Sequence, residues 1–225
     1  MSSVIGPYVA DSGVVMCLDA ANPRSYPGTG TAWADLSRAG ATGVLTNGPT
    51  FETALGGRVV LDGTNDYVLT GLTAPSPSDR STTYQVVFRN RANADYKGLI
   101  GKSGYQVSGM SVAIMFNTRV MVSLNASGQN FEHQIDYDNT VVSMATFVFD
   151  GRDVRVYRNT DLLYSTTISF DAAANAGAVE VGGSVQGGWG YGALDLHYVS
   201  AYSRALSPDD IAQNYSAVGP RFGLF

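Results

Sequence analysis

The fold class of this chain is decided by the stretch Thr146-Phe147-Val148-Phe149-Asp150-Gly151-Arg152-Asp153-Val154-Arg155-Val156-Tyr157. Aromatic and β-branched residues fill both ends, and turn-forming residues join them. Arg155 alternates with Val154 and Val156, so its charge falls on the face opposite two apolar side chains. The stretch therefore predicts two antiparallel strands with one buried face and one exposed face.

Runs of the same composition recur along the chain. Asn159-Thr160-Asp161 leads from this hairpin into Leu162-Leu163-Tyr164, which extends the hairpin to a three-stranded meander. Asn117-Thr118 separates two further runs, at 111–116 and 119–124, and predicts a second hairpin. Such short runs between turn residues are typical of a many-stranded antiparallel protein.

The turn Asp62-Gly63-Thr64-Asn65-Asp66 joins the runs 58–61 and 67–69, which predicts either a hairpin or a strand bent at a corner. Asp62, Asn65 and Asp66 would also offer calcium its preferred oxygen ligands, and no other cofactor is expected. Three ligands are fewer than calcium takes, and turns require such residues for their own geometry. The turn interpretation is favoured, and a calcium site is the alternative.

One short helix is predicted near the end of the chain. Ser207 suits the N-cap, Pro208 suits the first helical position, and Asp209 and Asp210 lie in the first turn beside the positive end of the helix dipole. Its inner face is expected to carry Ile211, Ala212 and Tyr215.

Eight or more strands, one helix and no linker predict an all-β fold: a two-sheet antiparallel β-sandwich. The chain has 225 residues, 44% of them hydrophobic, which is enough for one core. The domain is predicted over residues 11–218, with 1–10 as an N-terminal arm and 219–225 as a C-terminal tail. Both end segments are candidates for attachment to a partner, and the alternative for the tail is that it packs on its own domain.

Charge and cysteine content exclude several classes of function. The net charge is −5 and the cations are scattered, so nucleic acid is not an expected partner. The two lysines, Lys97 and Lys102, are expected to be solvated turn residues. Cys17 has no partner for an internal disulfide and is expected to be a buried core thiol. The N-terminus lacks the features of a secretory signal and no stretch is long enough to span a membrane, so cytoplasmic synthesis without membrane insertion is expected.

Several blocks of the sequence carry a family resemblance. They are Val15-Met16-Cys17-Leu18-Asp19-Ala20-Ala21-Asn22-Pro23-Arg24-Ser25-Tyr26-Pro27-Gly28, Trp33-Ala34-Asp35-Leu36-Ser37, Leu45-Thr46-Asn47-Gly48-Pro49-Thr50-Phe51, Leu61-Asp62-Gly63-Thr64-Asn65-Asp66-Tyr67-Val68 and Tyr202-Ser203-Arg204-Ala205-Leu206-Ser207-Pro208-Asp209-Asp210-Ile211-Ala212-Gln213-Asn214-Tyr215. Together they span nearly the whole chain. They resemble laminin-G-like (concanavalin A-like) jelly-roll domains of tailed-phage structural proteins.

The resemblance implies a virion structural protein, made in the host cytoplasm, that decorates a capsid or belongs to a tail. It implies docking on capsid or tail proteins and a homo-oligomer, with a trimer among the arrangements expected. The alternative is a lectin-like module that binds a glycan for adhesion, because domains of this type serve several functions.

Enzymatic chemistry is not expected. Glu132 and Asp136 are the nearest carboxylate pair and are predicted to lie in a surface loop, without the spacing or the third acid of sandwich glucanases. His133 and His197 are far apart, have no cysteine partner and are expected to be structural or solvated rather than zinc ligands. The sequence also has no Gly-x-Ser-x-Gly nucleophile elbow.

Trp189 and Tyr191 are the candidate ligand-binding residues. They lie in Gly187-Gly188-Trp189-Gly190-Tyr191-Gly192, where an exposed aromatic ring could stack on the C–H face of a sugar. Such rings are equally suited to a protein interface. The structural alternative is that they cap the end of the core. Trp33, by contrast, is expected to lie in the core.

Overall fold

The computed structural model describes residues 9–73, 81–102, 109–126, 128–173, 177–183 and 189–225. Within these residues the chain forms two antiparallel sheets, one α-helix and two short 3₁₀ turns. The strands are β1 (Val14–Asp19), β2 (Ala32–Trp33), β3 (Gly43–Thr46), β4 (Thr50–Glu52), β5 (Arg58–Asp62), β6 (Tyr67–Thr70), β7 (Ser81–Asn90), β8 (Lys97–Gly101), β9 (Gly109–Met115), β10 (Arg119–Ala126), β11 (Gln129–Asp136), β12 (Ser143–Asp150), β13 (Asp153–Arg158), β14 (Asp161–Thr167), β15 (Glu180–Val181) and β16 (Ala193–Tyr202). The helix α1 spans Pro208–Val218, and the 3₁₀ turns span Ala54–Gly56 and Gly219–Phe222.

The two sheets form a sandwich, as the sequence predicted. The first sheet has the order β14-β13-β12-β7-β16-β5-β4, with β1 also paired to β16, and the second has the order β11-β10-β9-β8-β15-β6-β3-β2. Every strand pair is antiparallel. The fold is thus a two-sheet antiparallel jelly roll with a short C-terminal helix.

Both predicted hairpins are confirmed. β12 and β13 pair from Asp150 and Asp153 outward, and β14 extends them to the meander. β9 and β10 pair from Met115 and Arg119 outward, around Asn117-Thr118. In each case the turn lies between strands that are neighbours in both sequence and space, so local signals were sufficient to predict the pair.

The turn at residues 62–66 is a corner, so the bent-strand alternative is correct. β5 ends at Asp62 in the first sheet, and β6 begins at Tyr67 in the second. Asp66 accepts a hydrogen bond from the backbone N–H of Asp62 across the turn. The chain thereby passes from one layer of the sandwich to the other.

The main core lies between the sheets. Its large side chains include Trp33 and Phe147, which are fully buried, so the predicted core position of Trp33 is confirmed. Cys17 is a buried free thiol, also as expected, but it lies on the outer face of the first sheet. Burial raises the pKa of Cys17 to about 12.

The outer face of the first sheet is also largely buried, which corrects the prediction of one exposed face. A second apolar cluster there includes Met144 and Val148 of β12, Ile211 and Val218 of α1, and Phe222 of the following 3₁₀ turn. The alternation itself is retained in β13, where Val154 and Val156 face the main core and Arg155 does not. The pattern of a single strand does not show that a distant helix covers its second face.

The helix begins as predicted. Ser207 and Asp210 form a reciprocal capping box, with Pro208 at the first helical position. The guanidinium of Arg204, hydrogen-bonded to the carboxylate of Asp210, holds the pKa of Asp210 well below its usual range. The inner face differs from the prediction, because Ala212 is exposed whereas Asn214 and Val218 are buried. Positions 211, 214 and 218 share one side of a helix of 3.6 residues per turn.

Ser207→Ala should lower the free energy of unfolding by about 1 kcal/mol, because the backbone N–H of Asp210 loses the cap hydroxyl as its acceptor. Urea denaturation of the variant checks this. Ser216→Ala, at an exposed position within the same helix, is the matched control and should not destabilise the protein. Equal unfolding free energies for Ser207→Ala and the wild type would contradict the capping role.

Both ends of the described chain pack on the domain. The backbone N–H of Ala10 donates to Asn214 Oδ1 at 2.7 Å, and Arg221 makes a bidentate ion pair with the buried Asp19 at 2.6 and 3.0 Å. Phe222 and Leu224 are buried, whereas Phe225 is exposed. Residues 1–8 of the predicted arm at 1–10 lie outside the described residues, and the boundaries at 11 and 218 stay predictions. No helix in the described ranges is long and apolar enough to cross a membrane.

Candidate ligand-binding surface

Trp189 lies on the outer face of the second sheet and is only 4% exposed. Its indole packs on Ala113, Met115 and Met121, and Nε1 donates a hydrogen bond to Ser111 Oγ at 3.1 Å. Its glycine-rich neighbours at 184–188 lie outside the described residues. The indole therefore acts as the base of a surface cluster instead of standing free in solvent.

Tyr96 covers this indole. The two rings are stacked, with centroids 5.3 Å apart and planes inclined by 19°. Tyr96 is 43% exposed, although its partner is buried. One face of the phenol thus rests on Trp189, and the exposed part of the ring faces outward.

The backbone of Tyr96 is held in a strained conformation. Its φ of 51° lies in the left-handed region, which is uncommon for a bulky residue. Two backbone hydrogen bonds, both of 2.9 Å, fix it: Gly190 N–H donates to the carbonyl of Tyr96, and Gly98 N–H donates to the carbonyl of Gly190. Strain of this kind persists where surrounding structure over-determines it, and it clusters at functional sites.

Tyr191, two residues after Trp189, forms a second ring pair with Tyr67, with centroids 6.0 Å apart. Both are partly buried. We call Tyr96, Trp189, Tyr191 and Tyr67 the aromatic platform. The sequence placed Trp189 and Tyr191 among the binding residues but missed Tyr96, whose only signal is an aromatic residue after Asn93-Ala94-Asp95 in a turn.

The two lysines do not behave as free turn charges. Lys97 is partly buried and passes close to Gly190, where a Cβ would lie 2.6 Å from its Nζ. Lys102 is 3% exposed and donates to the carbonyl of Thr73. The prediction of solvated lysines is therefore wrong for Lys102, because the second sheet folds it against a neighbouring segment.

In the turn at residues 62–66, the carboxylate oxygens of the calcium candidates accept hydrogen bonds from the turn's own backbone. Asp62 Oδ1 accepts from Thr64 N–H at 2.7 Å, and Asp66 Oδ2 accepts from Asp62 N–H at 3.1 Å. The backbone N–H of Thr64 lowers the pKa of Asp62, whereas burial raises the pKa of Asp66. The backbone carbonyl of Asn65 accepts from Asn47. Across the described residues no three His, Cys, Asp or Glu side chains meet, and a calcium site at this turn stays a prediction.

A groove of about 560 Å³ lies at the open edge of the sandwich, between β11 and β14. Glu132 and Asp136 belong to strand β11, so the predicted surface loop is wrong: the run pairs along β10 from Ala126 to Arg119. His133 stacks on Tyr164 of the other sheet, with ring centroids 4.0 Å apart. This stacked pair bridges the two sheets beside the groove.

His197 is a structural histidine. It lies where the pairing of β16 with β7 shifts by one residue, which makes it the extra residue of a β-bulge. Nδ1 lies 3.0 Å from the carbonyl of Gly57, and the ring packs on Phe222. Burial lowers the pKa of His197 to about 4, so the imidazole is neutral at pH 7.

Comparison with known proteins identifies the fold but no family. No protein-family model matches the sequence, and no curated protein matches it. The binding domain of botulinum neurotoxin DC in complex with SialylT superposes with a TM-score of 0.72 at 13% identity, covering 92% of this chain and 52% of that chain. The receptor binding domain of botulinum neurotoxin D superposes with a TM-score of 0.71 at 15% identity, covering 92% of this chain and 53% of that chain. The binding domain of botulinum neurotoxin serotype G superposes with a TM-score of 0.70 at 15% identity, covering 90% of this chain and 50% of that chain.

This chain therefore spans about half the length of each solved structure. At such identities the similarity shows a shared jelly-roll sandwich alone. All three neighbours are described as binding domains.

Proposed function

We propose that this chain is a non-enzymatic binding module that holds a carbohydrate on the aromatic platform. Tyr96 is the observation that carries the proposal, since it is a partly exposed ring kept in a strained backbone conformation over a buried indole. A sugar would place its C–H face on the outward face of this phenol. The amine of Lys97 and the hydroxyl of Tyr191 would serve as nearby polar groups for sugar hydroxyls.

The character of the structural neighbours supports a binding role. One of them is described in complex with SialylT, although this chain covers only 52% of that protein, so the half that carries its ligand is not identified. Non-enzymatic function agrees with neighbours that are binding domains. The support for glycan binding by this chain therefore comes from the aromatic platform and not from the neighbours.

Tyr96→Gly tests the platform. Glycine adopts the left-handed backbone without strain, so the variant removes the ring and leaves the local fold intact. Binding to the strongest oligosaccharide found on a glycan array should weaken by about tenfold or more, the size of a hot-spot contact. Tyr96→Phe keeps the stacking face and should bind nearly as the wild type does.

Phe225→Ala is the matched control, because Phe225 is a fully exposed aromatic residue at the end of the chain. Its affinity should equal that of the wild type. Wild-type affinity in Tyr96→Gly would exclude the platform as the glycan site, and an array with no bound glycan would remove the carbohydrate function.

A second candidate function is a virion surface protein that docks on capsid or tail proteins, as the sequence resemblance implies. Exposed apolar side chains favour a protein partner: Leu162 and Leu163 on the edge strand β14, and the cross-strand pair Val44 and Leu69 on the second sheet. We infer from the same resemblance that the chain self-associates, with a trimer as one arrangement, and is located on the virion. A monomer by light scattering that fails to co-sediment with isolated tailed-phage particles would exclude this candidate.

A further inference from the structure

Asp195 is a buried carboxylate at the centre of an arginine cluster. It lies on β16 in the first sheet, paired with Arg89 of β7 and Val60 of β5, and its side chain is 1% exposed. Arg58, Arg89 and Arg91 all approach it. The name arginine cluster is used for these three side chains.

The contacts with Asp195 are unequal. Arg89 donates from Nε and Nη2 to Oδ2, at 2.9 and 2.5 Å. The Nε atoms of Arg58 and Arg91 each lie 3.6 Å from Oδ1, which accepts no hydrogen bond from the described residues. Arg89 alone thus makes direct hydrogen bonds to the carboxylate, and the other two cations are held near it.

Among the described residues, the cluster has more positive charge than the acids paired with it neutralise. Three guanidiniums face the carboxylates of Asp195 and Glu52, the latter paired with Arg58. The neutral ring of His197 adds no charge. Because one guanidinium suffices to pair a buried carboxylate, the convergence of three in a protein of net charge −5 needs a further reason.

Two of the three guanidiniums reach solvent. The side chains of Arg89 and Arg91 are 37% and 42% exposed, whereas Arg58 is 15% exposed. Within the described ranges, the side chain of Arg91 makes no other ion pair or hydrogen bond. Its terminal nitrogens are therefore available to a ligand, and its Nε lies 3.6 Å from the same carboxylate that holds Arg89.

We propose that Arg89 and Arg91 form a binding site for an oxyanion group of the carboxylate, sulfate or phosphate class. Planar guanidinium donors match such groups in bidentate geometry. Asp195 is the positioning residue, since it aligns the guanidiniums and does not meet the ligand. The site lies on the sheet opposite the aromatic platform and does not depend on the proposed carbohydrate function.

Titration calorimetry with sodium sulfate, sodium phosphate and sodium glucuronate tests the site, at an ionic strength kept constant with sodium chloride. At least one of these oxyanions should bind saturably. The titration that shows saturable binding identifies the recognised group. Arg91→Gln should weaken this binding by about tenfold or more, through loss of charge-assisted hydrogen bonds. Arg152→Gln removes an exposed arginine that is paired elsewhere with Asp171 and should bind as the wild type does.

Two results would overturn the proposal. One is the absence of saturable binding in all three arms. The other is equal affinity in Arg91→Gln and the wild type, with the same unfolding transition in both to show that the variant is folded.

Discussion

Replacing Asp195 by alanine is expected to lower the free energy of unfolding by about 3–5 kcal/mol. The substitution removes a carboxylate that is 1% exposed and leaves three guanidiniums facing one another without it. Arg89 also loses its two hydrogen bonds to Oδ2. Urea denaturation of the variant and the wild type measures the difference.

Asp171→Ala is the matched control for Asp195→Ala. Asp171 also pairs with an arginine, Arg152, but its side chain is 78% exposed, so solvent screens the pair. Its loss should leave the midpoint of the urea transition nearly unchanged. Equal midpoints for the two variants would show that burial does not make the pair with Asp195 stronger.

Acidification from pH 7 to pH 4 should cost about 3 kcal/mol of unfolding free energy through His197 alone. Burial lowers the pKa of His197 from 6.5 to about 4, so between these values the unfolded chain binds a proton that the native protein does not. The contribution is fully present above pH 6.5 and is lost as the pH falls towards 4. The carboxylate of Asp195 opposes this shift, whereas Arg58 and Arg89 add to it.

Comparison with His197→Gln isolates this effect. Glutamine retains a donor for the carbonyl of Gly57 but does not titrate. The unfolding free energy of the variant should therefore change less between pH 6.5 and pH 4 than that of the wild type. Parallel curves in this range would show that His197 is protonated equally in the native and unfolded states.

The elements that sequence analysis predicted correctly are those whose partners lie nearby in the chain. The hairpins around residues 117–118 and 150–153 and the capping box of Ser207 and Asp210 each depend on a few adjacent residues. The corner at 62–66 could not be distinguished from a hairpin, because the same turn residues serve both. Whether the turn forms a hairpin or a corner depends on whether β6 pairs in the same sheet as β5 or in the opposite sheet.

The binding surfaces were only partly predictable. Trp189 and Tyr191 were identified as a pair of aromatic residues in a glycine-rich segment, but nothing nearby in the sequence shows that Tyr96, 93 positions before Trp189, covers the indole. The arginine cluster was missed for the same reason. Arg58 and Asp195 are far apart in sequence and become neighbours only through the pairing of β5 with β16.

From its sequence alone, this chain could be predicted to be a sandwich of short antiparallel strands ending in a capped helix. Alternation with a period of two and local turn chemistry act within a few residues and need no distant partner. Which face of each strand is covered, and which distant side chains meet, became clear from the three-dimensional packing. Those contacts form when the two sheets and the C-terminal segment pack together. The same packing sets the order of strands within a sheet, which local conformational preferences do not determine.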